Sequence, residues 1–159
     1  MGVLNVGTLL LAQRWTWDSV VSAGDFPMSM QTWIDEFYPI TAEEAARGSA
    51  KDATVHSIRK WEGLRPSALA KHGCTLIENT LYDVDNRRLV IASNSCALCV
   101  KFYSMKTYCR RCPLAKARDG TSCDRHMPGE RIAPYFETES PNGPEPMIAW
   151  LVKALSECK

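Results

Sequence analysis

This chain of 159 residues lacks most of the features by which a sequence declares its chemistry. No P-loop, G-x-G-x-x-G, G-x-S-x-G or H-E-x-x-H motif occurs, and only three histidines are available for acid–base work. There is no internal repeat and no low-complexity tract. Net charge is low, 19 basic against 18 acidic side chains, so no global field points to nucleic acid or to a membrane. No apolar run is long enough to span a bilayer. The apolar residues near the start, Val3-Leu4 and Thr8 to Ala12, are interrupted by Asn5 and Gly7. They lack a basic leader and are followed by Arg14 and Trp15 without a small-residue cleavage site, which argues against a signal peptide. Position 6 is Val6, not Ser or Thr, which disfavours myristoylation after Gly2. A cytoplasmic chain is therefore expected.

Cysteine is what the sequence has in excess. Five of its seven cysteines lie between Cys96 and His126: Cys96-x-x-Cys99, Cys109-x-x-Cys112 and Cys123-x-x-His126. An odd number of thiols in a reducing compartment favours metal ligation over a disulfide framework. Each C-x-x-C turn aims two sulfurs at one point, and two such turns complete a four-coordinate site. Six groups compete for those positions: Cys96, Cys99, Cys109, Cys112, Cys123 and His126. The two C-x-x-C pairs are the most economical set, and one with Cys123 in place of Cys109 or Cys112 is its competitor. Soft thiolates suit Zn2+ first and an iron–sulfur cluster second. The metal is expected to be structural. Pro113 follows the second pair, and no His-x-Glu precedes it as a zinc deaminase would need. The plain alternative, unligated core cysteines, fits poorly with two pairs so close together.

The window is also where positive charge gathers. Residues 96–131 carry eight basic and three acidic side chains, whereas residues 1–50 carry two basic and six acidic. Lys101, Lys106, Arg110, Arg111, Lys116, Arg118, Arg125 and Arg131 interleave with Phe102, Tyr103 and Tyr108. That mixture suits phosphates and unstacked bases. A small knuckle cannot bury such residues, however, so surface placement alone accounts for them nearly as well. Basic groups would also offset the formal −2 charge of four thiolates on one divalent ion. A thiol near an imidazole, His72-Gly73-Cys74, offers a nucleophile pair for an enzyme. The blander reading is a helix end running into a buried strand.

Around the window the pattern is mixed α and β. Helical spacing runs from Ser29 to Tyr38, and Thr41 with Glu44 forms a capping box. A further helix starts at Asp52 or Thr54, presents Val55, Ile58, Trp61 and Leu64, and is closed by Pro66. His56 is expected to be partly exposed on it. Ser67 then caps a short turn ending at Gly73. Residues 75–92 read as a hairpin with its turn near Asp85-Asn86, feeding the first cysteine pair. After a Pro-rich loop, Met147 to Leu155 form a C-terminal helix behind Pro144 and Pro146, its face made by Met147, Trp150, Leu151, Ala154 and Leu155. The fold expected is α+β: a small helical N-terminal part (1–50), then a zinc-stapled domain (51–159) with a hairpin, a knuckle or ribbon-like element and a C-terminal helix, the two forming one unit.

Ser95-Cys-Ala-Leu-Cys99, Cys109-x-x-Cys112-Pro113-Leu114, Gly120-x-x-Cys123, Pro134-Tyr135 and Pro144-Glu-Pro-Met147, with Trp61-Glu62 upstream, resemble a pattern in small, uncharacterised cysteine-rich proteins of bacteriophage and prophage genomes. The resemblance covers residues 54–155. It implies five linked cysteines, adding Cys123 to the set, and brings no activity with it. Two departures stand out: an insertion from Asp124 to Ile132, and Ala133 where the pattern has Thr. The expectation is a zinc-stabilised, non-enzymatic binding protein in the host cytoplasm, occupying a host protein, a defence component or a small ligand. Tyr135 and the basic side chains are its candidate contacts. The alternatives are nucleic-acid binding through residues 101–131, and an enzyme built on Cys74 or an open zinc.

Overall fold

Three capping boxes stand at the start of the described residues in a computed structural model, which describes residues 28–106, 108–125, 127–130, 133–135 and 143–158. In each, a hydroxyl accepts from the amide three residues on, and that residue's side chain reaches back to the cap's own amide. Ser29 with Thr32 starts α1 (Met30–Phe37), Thr41 with Glu44 starts α2 (Ala42–Arg47), and Ser49 with Asp52 starts α3 (Ala50–Glu62). Asp52 is thus the third residue of α3 and not its cap. Pro66 does not close a helix but opens one. It stands at the first turn of α4 (Pro66–Lys71), where its missing N–H costs nothing, and Ser67 lies inside that helix. Gly73 follows in the left-handed region (φ 61), as the sequence pattern predicts.

The sheet has three antiparallel strands in the order β1 (Thr75–Ile77), β2 (Thr80–Tyr82), β3 (Arg88–Val90), with Leu81 opposite both Leu76 and Leu89. The expected hairpin is real, and a second one precedes it. Its two-residue turn is Glu78-Asn79, both at positive φ (45 and 60), the backbone that matches the twist of the flanking strands. The wider turn between β2 and β3 is built on Asp83. Its carboxylate accepts from the amides of Asp85 and Arg87 and meets the Arg87 guanidinium at 2.8 Å. It also accepts from the amide of Met30, 3.1 Å away, so one buried acid ties the sheet to the start of α1.

After β3 a short 3-10 turn (Ser93–Ser95) delivers Cys96 to α5 (Ala97–Phe102), and Pro113 opens α6 (Pro113–Ala117). The last helix, α7 (Glu145–Glu157), buries Met147, Ile148, Leu151 and Ala154, while Trp150 lies at the border of the core. Helix α3 is the hub, packed against α2, α5 and α7, and α6 lies on α7. The described part of residues 1–50 is therefore joined to the rest, with α2 seated on α5. Trp33, Leu64, Leu81, Leu98, Met147 and Leu151 are among the residues closing a single core. Among the described residues no helix is long and apolar enough to cross a membrane. The architecture is mixed α+β, and around the cysteines the chain forms two short helices, each preceded by a cysteine.

Candidate metal centre

The face that α3 turns inward is polar, which its apolar spacing concealed. Val55 is 46% exposed, whereas Thr54, Ser57 and Lys60, three residues apart, are completely buried. His56 is buried too, contrary to expectation: its Nε2 meets the Ile40 carbonyl at 2.9 Å and its ring stands against Tyr38. Ser57 and Lys60 face the cysteines. Ser57 Oγ donates to Ala53 and lies 3.6 Å from Cys96 Sγ. Lys60 Nζ donates to Ser95 Oγ at 3.4 Å and sits 5.1 Å from the Trp61 ring centre. Ser95 Oγ accepts from the Ala92 amide and donates to the Ala92 carbonyl, which fixes it just ahead of Cys96.

Of the five window cysteines, Cys112 belongs to the core and Cys96, Cys109 and Cys123 pack against it. The Cys99 thiol is in hydrogen-bonding reach of both Cys96 and Cys123, and the charge of Cys112 would act on both Cys96 and Cys99. Burial raises the pKa of the Cys109 thiol, with smaller contributions from the charges of Asp124 and Cys96. Its hydrogen bond with Cys99 and its burial keep the Cys96 thiol well above its ordinary range. Contact with Cys123, then burial, pushes Cys99 to about 12, and burial pushes Cys112 to about 11. The Cys99 amide beside the Cys96 sulfur, and the Leu114 and Ala115 amides beside that of Cys112, pull the other way. Neither contact is tight enough to count as a capping hydrogen bond. Among the described residues, no three His, Cys, Asp or Glu side chains are placed so that they could hold a metal ion. His126 lies outside the described residues.

Burial lowers the pKa of Lys60, while Cys96, Cys99 and Cys123 raise it. An ammonium removed from water costs several kcal/mol, on the order of what one good ion pair returns. A single neutral hydroxyl does not offset that. This chain thus buries an amine among thiols, and burial favours its neutral form unless the sulfurs beside it ionise.

The candidate surface residues divide. Lys106, Arg110, Arg111, Lys116 and Arg125 are exposed. Arg131 lies outside the described residues. Lys101 is exposed but engaged, its Nζ donating to the carbonyls of Ala46 and Gly48 at the end of α2. Arg118 is not a surface residue at all: it is fully buried, held by the carbonyls of Ser122 and Arg125 and by Glu130. Tyr135 also points inward, with its hydroxyl on the Ile91 carbonyl and its ring edge-on to Trp61. Between the two C-x-x-C pairs, Tyr103, Met105 and Tyr108 stand 51%, 78% and 62% exposed.

Cys74 does not pair with His72. Burial pushes its thiol pKa up, and the sulfur donates to the His72 carbonyl at 3.6 Å. The imidazole turns the other way, to Thr32 Oγ1 (2.8 Å) and Glu36 Oε2 (3.0 Å). Nothing in the sequence marked Lys60 or Ser57; the only signal was a polar stripe at helical spacing on a helix otherwise judged by its apolar residues. No protein-family model matches this chain, and no curated protein or solved structure is significantly similar to it.

Proposed function

We propose that this chain is a metal-stapled, non-enzymatic binding protein whose docking element is the loop between the two C-x-x-C pairs. The observation that carries the reading is the exposure of Tyr103, Met105 and Tyr108 on a loop rooted at both ends in the cysteine cluster. Large apolar side chains grouped in water are the usual anchors of an interface. The two tyrosine rings brace each other edge to face, 6.5 Å between centres, so the loop surface is partly preorganised. A structural zinc suits this design, because it stiffens a segment too small to hold itself by core packing. The phage-like cysteine pattern makes a host protein or defence component the partner expected.

The test compares capture by the full chain with capture by a Tyr103→Ser, Met105→Ser, Tyr108→Ser variant, both loaded with Zn2+, from bacterial lysate. A partner held by the first and lost by the second supports the reading. Equal capture by both overturns the assignment of the loop.

A second reading has its own support. Lys106, Arg110 and Arg111 are exposed beside the same tyrosines, a combination that binds single-stranded nucleic acid by charge and stacking. It predicts retention on single-stranded RNA or DNA that weakens steeply with salt, and further on Arg110→Ala with Arg111→Ala. Retention indifferent to both would remove it.

A further inference from the structure

A groove of about 530 Å3 runs between α4 and β1, lined by Leu64, Pro66, Leu69, Cys74, Leu76 and Ile77. We propose that it is the seat of the chain's own N-terminal segment, with residues 15–21 laid along the open edge of β1 and Trp15 and Trp17 as the anchors. Residues 1–27 lie outside the described residues. The groove is separate from the loop that bears Tyr103 and Tyr108, so either assignment can stand without the other.

The strand beside the groove is open. Antiparallel strands bond through alternate pairs, and the two-residue turn at Glu78-Asn79 makes Ile77 with Thr80, and then Thr75 with Tyr82, the bonded ones. Leu76 therefore turns its amide and carbonyl away from β2, to a side where no strand stands among the described residues. Beside it Ile77 is 54% exposed, in one row with Thr80 and with Val90, itself 52% exposed. An apolar strand edge of this kind is a template for a further extended segment.

The N-terminal segment joins the fold at that place. A Cβ built on Gly73 would stand 3.1 Å from Met28 Cβ and 3.5 Å from Val84 Cγ1, and Gly73 directly precedes Cys74 in the groove. The bond from the Met30 amide to Asp83 fixes the start of α1 at the same end of the sheet. From Met28 back to Val21 is seven residues, which extend to about 24 Å. From Cys74 to Glu78 the edge measures only about 13 Å. The tether therefore reaches the whole groove.

The composition of the segment matches the seat. Of residues 1–27, fourteen are apolar and three are charged, Arg14, Asp18 and Asp25. So many apolar side chains need cover. Trp15 and Trp17, two apart, share one side of an extended segment, and Thr16, Val20 and Val21 also favour strands. Each indole can remove roughly 150–250 Å2 from water. Gly24, Asp25 and Pro27 supply the turn between this stretch and α1. The groove is then occupied from within and is not where a partner docks.

Amide hydrogen exchange on the reduced full-length chain, read by mass spectrometry, tests this. In the wild type, residues 15–21 and the Leu76 amide should exchange at least about tenfold more slowly than in an unstructured chain. Trp15→Ser with Trp17→Ser should release both sets about tenfold and leave the amides of α3 unchanged. Ala70→Arg with Ile77→Arg, two exposed positions on the groove, should release residues 15–21 in the same way.

An unprotected segment 15–21 in the wild type overturns the proposal. Protection of that segment that survives Ala70→Arg with Ile77→Arg places it elsewhere and overturns the seat. Protection of Leu76 that survives Trp15→Ser with Trp17→Ser shows a different cover, with the same consequence. Protection that fades on dilution assigns the contact to a second copy of the chain and overturns the internal one. If the groove variant also loses protection in α3, the tryptophan variant decides, since it alters no described residue.

Discussion

Arg118 Nη2 lies 2.8 Å from Glu130 Oε2, and that pair ties the segment after Cys123 to the C-terminal helix. Glu130 also accepts from the Met127 amide and from the Trp150 indole, while the Arg118 guanidinium stands 5.7 Å from the Trp150 ring centre. The described residues between Ser122 and Glu130 therefore enclose a buried cation.

Arg118→Ala leaves Glu130 without its partner and frees the carbonyls of Ser122 and Arg125. Breaking one side of a buried pair costs about 3–5 kcal/mol. Urea unfolding of the metal-loaded chain should show a loss of that size. A loss below about 1 kcal/mol, the level of a surface pair, would show that the guanidinium is not enclosed.

Gly63 is required by close approach. A Cβ placed there would meet Phe37 Cγ at 2.6 Å and Trp33 Cζ2 at 2.8 Å, and the Gly63 carbonyl accepts from the Trp33 indole at 2.8 Å. Gly63→Ala must push α1 away from α3, an overpacking cost of about 1–3 kcal/mol. Its φ of −64 is ordinary, so the expected loss of thermal stability reports crowding and not backbone strain. An unchanged melting temperature would refute the contact.

Acid sensitivity should run through Asp83. Burial raises its pKa, but the amides of Met30, Arg87 and Asp85 and the Arg87 guanidinium outweigh burial and hold it below 3.8. With the folded value lowered, the unfolded chain takes up the proton first. The stability this acid contributes is thus complete above pH 3.8 and is lost as pH falls through the folded value. Asp83→Asn should be less stable than wild type near neutrality, and its stability should fall less steeply below pH 3.8. Parallel pH profiles for the two would dismiss this account.

Metal removal should be more drastic than any of these substitutions. Structural zinc contributes apparent folding free energy on the order of 10 kcal/mol, comparable to the whole margin of a small domain. Far-ultraviolet circular dichroism under a strong chelator and reductant should show loss of the α5 and α6 region, or of the whole fold, restored by Zn2+. A spectrum and melting curve indifferent to chelation would count against a structural ion.

Local signals were legible in the sequence where local chemistry decides. Thr41 with Glu44, Gly73 after α4, and the two prolines at the start of α7 each act through their own backbone neighbours. What escaped reading was set by distant partners. Glu78-Asn79 forms a tight turn without the usual glycine, because the register of β1 with β2 requires it. Pro66 was read as an ending because a proline breaks a helix and starts one with equal ease. The inward side of α3 was misjudged because periodicity rewards apolar residues, and this face meets sulfur and hydroxyl groups instead of hydrocarbon. Arg118 looked like one of eight surface cations, and only the fold of residues 118–130 encloses it. The cysteines themselves were plain from spacing alone, but the buried Lys60 beside them was not, since it is 36 residues upstream of Cys96.

The grip of Lys101 on the last carbonyls of α2 has a consequence for how this protein breathes. Its backbone follows Cys99 by two residues, so the helix carrying the first sulfur pair also supplies the C-terminal cap of a helix some fifty residues earlier. Amide exchange in α2 and α5 should therefore occur through one shared opening, not two independent ones. Helix α2 and the basic, cysteine-bearing segment then behave as a single cooperative unit, held by their packing and by one ammonium group.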